Sequence, residues 1–267
     1  MKKIIAIVLA LTLALSLAAC GGKASDAKTI TVAASPTPHA EILKVAAEVL
    51  AKDGWTLNVV EYADYVVPNN VVEDGEMDAN YFQHQPYLDT FNAENGTHLV
   101  SVLAIHCEPF GIYPGTKQAI ADLADGDKIA IPNDGSNRAR ALLLLEAQGL
   151  IKLTAGVGMQ ATVLDIIENP MNLEIVEMEA AQIANVRDSV ALALINGNYA
   201  MQADLFVGTD AIAAEDAEIA KNYENILVVK EGNENSEKIQ ALIAAFTSDT
   251  VKAYINETYP GSVVPCF

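Results

Sequence analysis

The sequence has little positive charge. Lysine and arginine together number 16, against 35 aspartates and glutamates, which leaves a formal net charge of −19 at pH 7. Such a surface repels nucleic-acid phosphates and anionic lipid headgroups, so we expect no nucleic-acid partner and no membrane binding through charge. Apolar residues make up 51% of the 267 residues. This composition excludes a largely disordered chain and allows one large domain or two smaller lobes.

Motifs of catalysis and cofactor binding are missing as well. No G-x-S-x-G, H-E-x-x-H, G-x-x-x-x-G-K or G-x-G-x-x-G pattern occurs, so nothing indicates a serine hydrolase, a zinc protease, a P-loop or a dinucleotide site. No two histidines are spaced i, i+4, as a helical zinc motif requires. We therefore predict no enzyme, no cofactor and no metal. The distant alternative is a metal-capturing protein that uses His39, His84 and His106, and a cell-surface hydrolase is weaker still.

Long apolar runs occur only at the N-terminus. Lys2 and Lys3 precede the apolar run Ile4–Ala19, which is too short for a comfortable membrane span and fits a secretory signal. The run ends in Leu-Ala-Ala-Cys-Gly, and small residues before a cysteine are typical of a lipoprotein processing site. We predict that residues 1–19 are a signal peptide and that Cys20 carries the lipid. The alternative is an ordinary signal peptide with an incidental cysteine.

Residues 20–28 are predicted to form a lipidated tether, because they are rich in small and polar side chains. The export signal places the folded part outside the cytoplasm, anchored to the cell membrane as a lipoprotein. Since the acidic surface is not attracted to anionic lipid, we expect membrane contact through the lipid anchor only.

Segments with strand and helix patterns alternate along the rest of the chain. Strands are predicted at 29–35, 57–62, 79–82, 99–105 with an extension to 111–113, 128–132, 173–178, 190–195 and 225–229. Helices are predicted at 39–52, 69–74, 85–95, 136–148, 161–168, 180–188 and 236–254. This alternation predicts an α/β fold, with mainly parallel sheets flanked by helices.

The length suits two such lobes. Pro109 and Gly111 interrupt a strand-like stretch, which indicates a crossover between lobes, and a second crossover is expected near 205–211. Lobe 1 would then contain residues 29–108 plus 211–267, and lobe 2 residues 109–210. A two-lobed protein of this kind binds its ligand in the cleft between the lobes.

Polar clusters follow three of the predicted strands. They are Tyr81–Tyr87, Asn133–Asn137 and Asn196–Tyr199. Because open parallel sheets bind ligands beyond the C-terminal ends of their strands, all three clusters could face one cleft.

Several long strings in the chain are specific. They are ASPTPHAEIL at 34–43, DYVVPN at 64–69, DGEMDANYFQHQPYLD at 74–89, HCEPFGIYP at 106–114, IAIPND at 129–134, RALLLLEAQGLIKL at 140–153 and INGNYA at 195–200. In content and order they resemble the methionine-binding lipoproteins of ABC importers, the MetQ/NlpA family. The resemblance implies a two-lobed type II periplasmic-binding-protein-like fold, a free amino acid as ligand, a transporter in the membrane and no catalytic residues.

The resemblance also implies polar ligand contacts. Arg140 matches the family's ligand arginine, whose planar guanidinium suits a carboxylate. Asn198 matches the ligand asparagine, and Asn196 would either share that role or fix the turn. Asn137 would either bind the ligand or cap its helix.

An aromatic wall around the ligand side chain is implied too. Its members match Tyr65, Phe82, His84 and Tyr87 of this sequence. A thioether near aromatic rings gains about 0.3–1.5 kcal/mol per contact. His106 and Glu108 lie at the first crossover, where Glu108 would balance the ligand ammonium or fix the hinge.

Two cysteines depart from the family pattern. Cys107 stands where the family usually has an apolar residue, and Cys266 stands where a small residue is usual. They are the last thiols once Cys20 carries lipid, and the compartment permits oxidation. A disulfide between them is one hypothesis, and two independent buried thiols are the alternative.

These observations predict a solute-binding lipoprotein of an ABC transporter. It would capture methionine, with L-methionine preferred, by hinge closure and deliver it to a complex of permease and ATPase. The alternatives within this role are D-methionine, a Gly-Met dipeptide and another neutral amino acid.

Overall fold

The computed structural model describes residues 27–267. The predicted signal peptide, Cys20 and most of the predicted tether lie outside these residues. Within residues 27–267, no helix has both the length and the apolar character needed to cross a membrane.

Short strands run through the whole described chain. In chain order they are β1 (Thr29–Ala34), β2 (Thr56–Glu61), β3 (Ala79–His84), β4 (Leu99–Cys107), β5 (Gly111–Pro114), β6 (Lys128–Pro132), β7 (Lys152–Leu153), β8 (Ile166–Glu168), β9 (Glu174–Met178), β10 (Leu192–Ile195), β11 (Ala213–Ala214), β12 (Asn225–Lys230) and β13 (Val264–Pro265).

Helices connect most of these strands. They are α1 (Glu41–Ala51), α2 (Val67–Glu73), α3 (Gln85–Asn95), α4 (Gly135–Ala147), α5 (Ala180–Val186), α6 (Gly197–Gln202), α7 (Val207–Asp210), α8 (Ala217–Ala220), α9 (Glu237–Phe246) and α10 (Asp249–Thr258). Short 3-10 turns lie at Ile120–Asp122, Gly158–Gln160, Val163–Asp165, Arg187–Ser189 and Lys221–Tyr223, and a π turn at Pro36–Ala40.

Local sequence signals fix the two helices that border the cleft. The His84 ring accepts a hydrogen bond from the Tyr87 backbone N–H and so caps α3, which ends where Gly96 takes a left-handed φ of 66°. The Asp134 carboxylate accepts from the Asn137 backbone N–H and caps α4. His84 is the last residue of β3 and Asp134 lies two residues after β6, so the strand end and the helix start place polar side chains at one point.

The first sheet joins the two ends of the described chain. Its strand order is β13-β4-β12-β3-β1-β2. β1 pairs in parallel with β2 and β3, whereas β12 runs antiparallel to β3 and β4, and β13 antiparallel to β4. Its core contains Leu43 of α1 and Leu242 of α9, both fully buried.

The second sheet uses the middle of the chain. Its order is β11-β5-β10-β6-β9, with parallel pairing of β6 to β9 and β10 and antiparallel pairing of β5 to β10 and β11. A separate pair, β7 and β8, lies outside this sheet. Leu142 and Leu145 of α4 are fully buried against the second sheet's core.

The predicted α/β fold is present, with differences in detail. Both sheets are mixed rather than mainly parallel, because β5 and β12, the first strands after each crossing, run antiparallel to their neighbours. The strand Ala213–Ala214 pairs with β5, so the chain leaves the second sheet after residue 214, whereas we expected the boundary at 211.

Two helix predictions were wrong. The segment predicted as one helix over 236–254 forms α9 and α10, because the Ser248 hydroxyl accepts from the Val251 backbone N–H and starts a new helix. The segment 161–168, predicted as a helix, forms a 3-10 turn and then β8, whose strand pairing outweighs the local helical pattern.

Two leucines with opposite exposure test the position of the first sheet's core. Leu242 is 0% exposed and Leu164 is 91% exposed. We expect Leu242→Ala to lower the unfolding free energy by about 2–5 kcal/mol, because it leaves a cavity. The matched control Leu164→Ala should change it by less than about 0.5 kcal/mol. Urea denaturation measures both, and similar losses in the two variants would contradict this placement of the core.

Candidate functional site

A cleft lies between the two sheets. It opens where β3, β6 and β10 end and where the chain first crosses between the sheets. The residues that line it are Tyr65, Phe82, Gln83, His84, Tyr87, Glu108, Asn137, Arg140, Asn196, Gly197, Asn198 and Asn225. All three predicted polar clusters therefore contribute residues to one cleft.

The side chain of Asn137 is oriented by Asp134. Its Nδ2 lies 3.0 and 3.1 Å from the two carboxylate oxygens of Asp134. An ionised carboxylate can accept hydrogen bonds but cannot donate them. Nδ2 of Asn137 is therefore the donor, and Oδ1 of Asn137 is the free acceptor. Burial raises the pKa of Asp134, and the hydrogen bonds from Asn137 and Ser136 oppose that rise.

That acceptor receives two hydrogen bonds. Nε2 of His84 lies 3.0 Å from Asn137 Oδ1, and Nδ2 of Asn196 lies 2.8 Å from it. The other ring nitrogen of His84 accepts from the Tyr87 backbone N–H at 3.1 Å, so the proton of the neutral ring is on Nε2. Burial, and then the charge of Arg140, lowers the pKa of His84 to about 3.

Two polar atoms in the cleft have no hydrogen-bond partner in residues 27–267. Because Asn196 donates through Nδ2 to Asn137, its carbonyl Oδ1 is left buried without a hydrogen bond among the described residues. The Tyr65 hydroxyl donates a hydrogen bond to Oδ1 of Asn198 at 2.5 Å. Nδ2 of Asn198 is left buried without a partner in residues 27–267. Burying a donor or acceptor without a hydrogen-bond partner lowers stability by about 1–3 kcal/mol. The cleft thus offers one unused acceptor and one unused donor.

Arg140 is held by a buried carboxylate. Its Nε and one terminal nitrogen contact the two Glu215 oxygens at 2.9 and 2.5 Å, and the same terminal nitrogen donates to the Glu108 backbone carbonyl at 3.0 Å. The guanidinium carbon lies 3.9 Å from the ring centre of Tyr223. Arg140 therefore lines the cleft as a fixed cation rather than as a mobile surface side chain.

Glu108 also lines the cleft, and its side chain contacts two buried histidines. Its Oε1 is 2.7 Å from Nε2 of His106 and 3.7 Å from Nε2 of His39. Burial raises the pKa of Glu108, but the hydrogen bond and charge of His106, the His39 charge and the Asn198 backbone N–H hold it below its usual value. Burial lowers the pKa of His39 to about 4.

Gly197 makes room for Glu108. A Cβ atom at residue 197 would lie 2.7 Å from Glu108 Oε2 and 2.8 Å from its Cβ. Any larger residue would displace the carboxylate, so the glycine is needed where α6 begins.

Aromatic rings form the remaining wall. Tyr65 lies 5.7 Å from Phe82 and 5.6 Å from Tyr87 between ring centres, and Tyr199 lies 4.9 Å from Tyr65. The Tyr87 hydroxyl donates to the Tyr65 backbone carbonyl at 3.0 Å. These contacts fix an apolar surface beside the unpartnered polar atoms.

Hydrogen bonds cross the cleft from the lobe of the first sheet to the lobe of the second sheet. Tyr65 binds Asn198, His84 binds Asn137, and the Tyr199 hydroxyl donates to the Ala63 carbonyl at 3.0 Å. Met201 of α6 packs into the core of the first sheet. The lobes are therefore in direct contact around the cleft.

The structure brings together most of the predicted site residues and separates one. His106 is fully buried behind Glu108 and supports it rather than lining the cleft; its Nδ1 also contacts the Tyr81 hydroxyl. Sequence reasoning missed Glu215, which pairs with Arg140, and Asn225, whose Oδ1 lies 2.8 Å from His39 Nε2. Neither stands in a motif or follows the C-terminal end of a predicted strand.

The histidines of the metal alternative do not form one group. His39, His106 and Glu108 have ligand atoms within 4.8 Å of one another, but His84 is not a member of that group. His84 instead uses its ring to cap α3 and to bind Asn137. The alternative set is therefore wrong as we stated it.

A cleft between two lobes, lined by fixed polar groups of which two atoms lack a hydrogen-bond partner in residues 27–267, is typical of the class of two-lobed solute-binding proteins. Comparison with known proteins specifies the family. NlpA lipoprotein is the family that matches, over residues 30–267, and the chain belongs to it.

Solved structures and curated relatives agree. A lipoprotein structure from Ruminococcus gnavus ATCC 29149 is 59% identical with a TM-score of 0.88, covering 90% of this chain and 99% of that one. A nutrient-binding protein from Burkholderia cenocepacia bound to methionine is 42% identical with a TM-score of 0.85, covering 89% and 100%. The D-methionine-binding lipoprotein MetQ of Escherichia coli (strain K12) is 40% identical over 266 residues, 98% of this chain and 97% of the relative. These likenesses confirm the predicted family and fold class.

The buried histidines predict a loss of stability in mild acid. The pKa values of His84 and His39, about 3 and 4, lie below the value of about 6.5 in an unfolded chain. Between these values the unfolded chain binds protons that the native protein excludes, so the unfolding free energy falls as pH falls. From pH 7 to pH 5 we expect each histidine to contribute a loss of up to about 2 kcal/mol.

Urea titrations at pH 7 and pH 5 measure this effect. His84→Asn should show a smaller loss between the two pH values than the wild type. His98→Asn is the matched control, because the His98 side chain is 66% exposed, and it should keep the wild-type loss. Equal losses in the wild type and His84→Asn would show that His84 is not the source.

Proposed function

We propose that this cleft binds methionine and that the protein is the solute-binding lipoprotein of an ABC importer. The observation that supports the proposal is the pair of buried, unpartnered atoms, Asn196 Oδ1 and Asn198 Nδ2. An acceptor and a donor in one cleft match the two charged ends of an amino acid zwitterion. A ligand that pairs with both removes their desolvation cost.

The ammonium of the ligand belongs on the side of Asn196 and Glu108. Oδ1 of Asn196 is an unused acceptor, and the lowered pKa of Glu108 keeps that carboxylate ionised at neutral pH. A charged donor gains more from such acceptors than a neutral one.

The carboxylate of the ligand belongs on the side of Asn198 and Arg140. Asn198 Nδ2 is an unused donor, and Arg140 supplies the cation of the cleft. Because Glu215 already pairs with Arg140 in a buried position, replacing the arginine would also leave an unpaired buried carboxylate, a cost of about 3–5 kcal/mol. Asn198 is therefore the cleaner position for a test.

The ligand side chain faces the aromatic wall of Tyr65, Phe82 and Tyr87. A thioether is polarisable and gains from ring contacts, whereas a second carboxylate would find no second cation. The structural relative bound to methionine supports this choice of ligand. We propose L-methionine, with D-methionine, as in the name of the Escherichia coli relative, a Gly-Met dipeptide and another neutral amino acid as alternatives.

Capture would proceed by closure of the two lobes. The hydrogen bonds from Tyr65 to Asn198 and from His84 to Asn137 cross the cleft, so a ligand that contacts both walls favours the closed form. Only that form would present both lobes to a permease and ATPase complex. The protein would act outside the cytoplasm, anchored by lipid on Cys20, and would catalyse no reaction.

Asn198→Asp tests the donor. The change preserves size but replaces the amide donor by a carboxylate that repels the ligand carboxylate. We expect methionine affinity to fall at least about tenfold, since a hydrogen bond to a charged group contributes about 1.5–3 kcal/mol. The control is Asn185→Asp on the exposed face of α5, which should bind like the wild type. Isothermal titration calorimetry measures both, and unchanged affinity in Asn198→Asp would refute the proposed site.

Ligand choice gives an independent test. Thermal shift assays should rank methionine above leucine and far above glutamate, because the wall favours a thioether and leaves an extra carboxylate unpaired. Glutamate stabilising the protein as strongly as methionine would contradict the proposed ligand class.

A further inference from the structure

Two thiols meet on the outer side of the first crossing between the sheets. Cys107 ends β4, and β13 pairs with that strand so that Val264 lies opposite Cys107. The Cys266 backbone N–H donates to the Ile105 carbonyl at 2.9 Å, which extends the pairing by one residue. In this register the two sulfur atoms lie 2.9 Å apart, as free thiols.

We propose that Cys107 and Cys266 form a disulfide in the exported protein, joining the C-terminal segment to β4. The backbone pairing already holds both residues, so the bond needs no rearrangement of a distant segment. Diagonal neighbours on antiparallel strands are within side-chain reach. The proposal does not depend on which solute the cleft binds.

A shared metal ion is the competing use of these thiols. Cys107, Glu224 and Cys266 have ligand atoms within 4.8 Å of one another. Two thiolates on one tetrahedral zinc, each about 2.3 Å from the metal, lie about 3.8 Å apart. The sulfurs here are closer than that, at 2.9 Å, which favours a direct bond.

The reaction is thiol–disulfide exchange with an external disulfide, either a small-molecule disulfide or a thiol–disulfide oxidoreductase of the same compartment. Cys266 is the more exposed thiol and is the one an oxidant can reach, although its hydrogen bond with Cys107 and its burial raise its pKa. Once Cys266 loses its proton, its thiolate attacks the oxidant's disulfide, forms a mixed disulfide and releases one thiol. The Cys107 thiolate then attacks the Cys266 sulfur, breaks the mixed disulfide and releases the second thiol. Two electrons and two protons pass to the oxidant in total.

Strand pairing places Cys107 for the second step, because it holds the two cysteines as diagonal neighbours before and after Cys266 reacts. Bond formation would fix the end of β4 from outside the cleft. Cys107 lies between His106 and Glu108 in the chain, and the side chains of these two residues contact each other at 2.7 Å.

Peptide mapping tests the bond. The full-length lipoprotein is alkylated during lysis of its own cells, denatured without reductant and digested with trypsin. We expect peptide 53–117, with Cys107, to be joined to peptide 253–267, with Cys266. After reduction the two peptides should separate and each should take up one alkylating group. Alkylation of both cysteines before reduction, with or without bound zinc, would overturn the proposal.

Thermal unfolding tests whether the bond acts as a staple. We expect reductant to lower the Tm of the wild type by roughly 5–15 °C. The Cys107→Ser/Cys266→Ser variant should match the reduced wild type, and reductant should not change its Tm. Circular dichroism at low temperature checks that this variant folds. A wild-type Tm that is independent of reductant and equal to that of the variant would contradict the stapling role.

Discussion

The pairing of Asn137 with Asp134 determines the polarity of the cleft. Because both carboxylate oxygens of Asp134 need donors, the Asn137 amide group turns toward them, and its carbonyl must accept from the other side. That acceptor draws the N–H of His84 and the amide of Asn196. Asn196 consequently presents a carbonyl oxygen to the cleft. A network that starts at a helix cap thus decides which end of a zwitterion each wall can take.

A second buried pair fixes the cation of the site. Glu215 holds Arg140 through two contacts, and the Tyr223 ring covers the guanidinium face. The pair is costly to desolvate, and losing one partner would leave the other charge buried. The benefit of the arrangement is preorganisation. Because Arg140 is already held in the cleft, ligand binding does not have to order its side chain.

Much of the fold could be predicted from local patterns. The helix Gln85–Asn95 has a cap at its start and Gly96 at its end, and the structure gives the same bounds. The direction of β12 and β13 could not be predicted, because it depends on which distant strand each one meets. The helix predicted over 161–168 failed for the same reason, since pairing of β8 with β7 outweighs local preference.

Some residues of the candidate site could likewise be predicted from the sequence, and others could not. Arg140, Asn198 and the aromatic residues stand in recognisable strings, so the resemblance located them. Glu215 lies 75 positions after Arg140 in the chain and stands in no motif, so only the folded structure brings the two together. The choice between a turn residue and a cleft residue at Asn196 depended on the hydrogen bonds of Asn137, which no sequence pattern specifies.

We propose that the buried atoms Asn196 Oδ1 and Asn198 Nδ2 receive the two ends of a methionine zwitterion. Mass spectrometry of the small molecules released when the freshly purified protein is denatured tests this proposal. We expect methionine, close to one molecule per protein chain, and renewed uptake of methionine after ligand-free refolding. Release of a different solute, or a refolded protein that takes up no methionine, would contradict it.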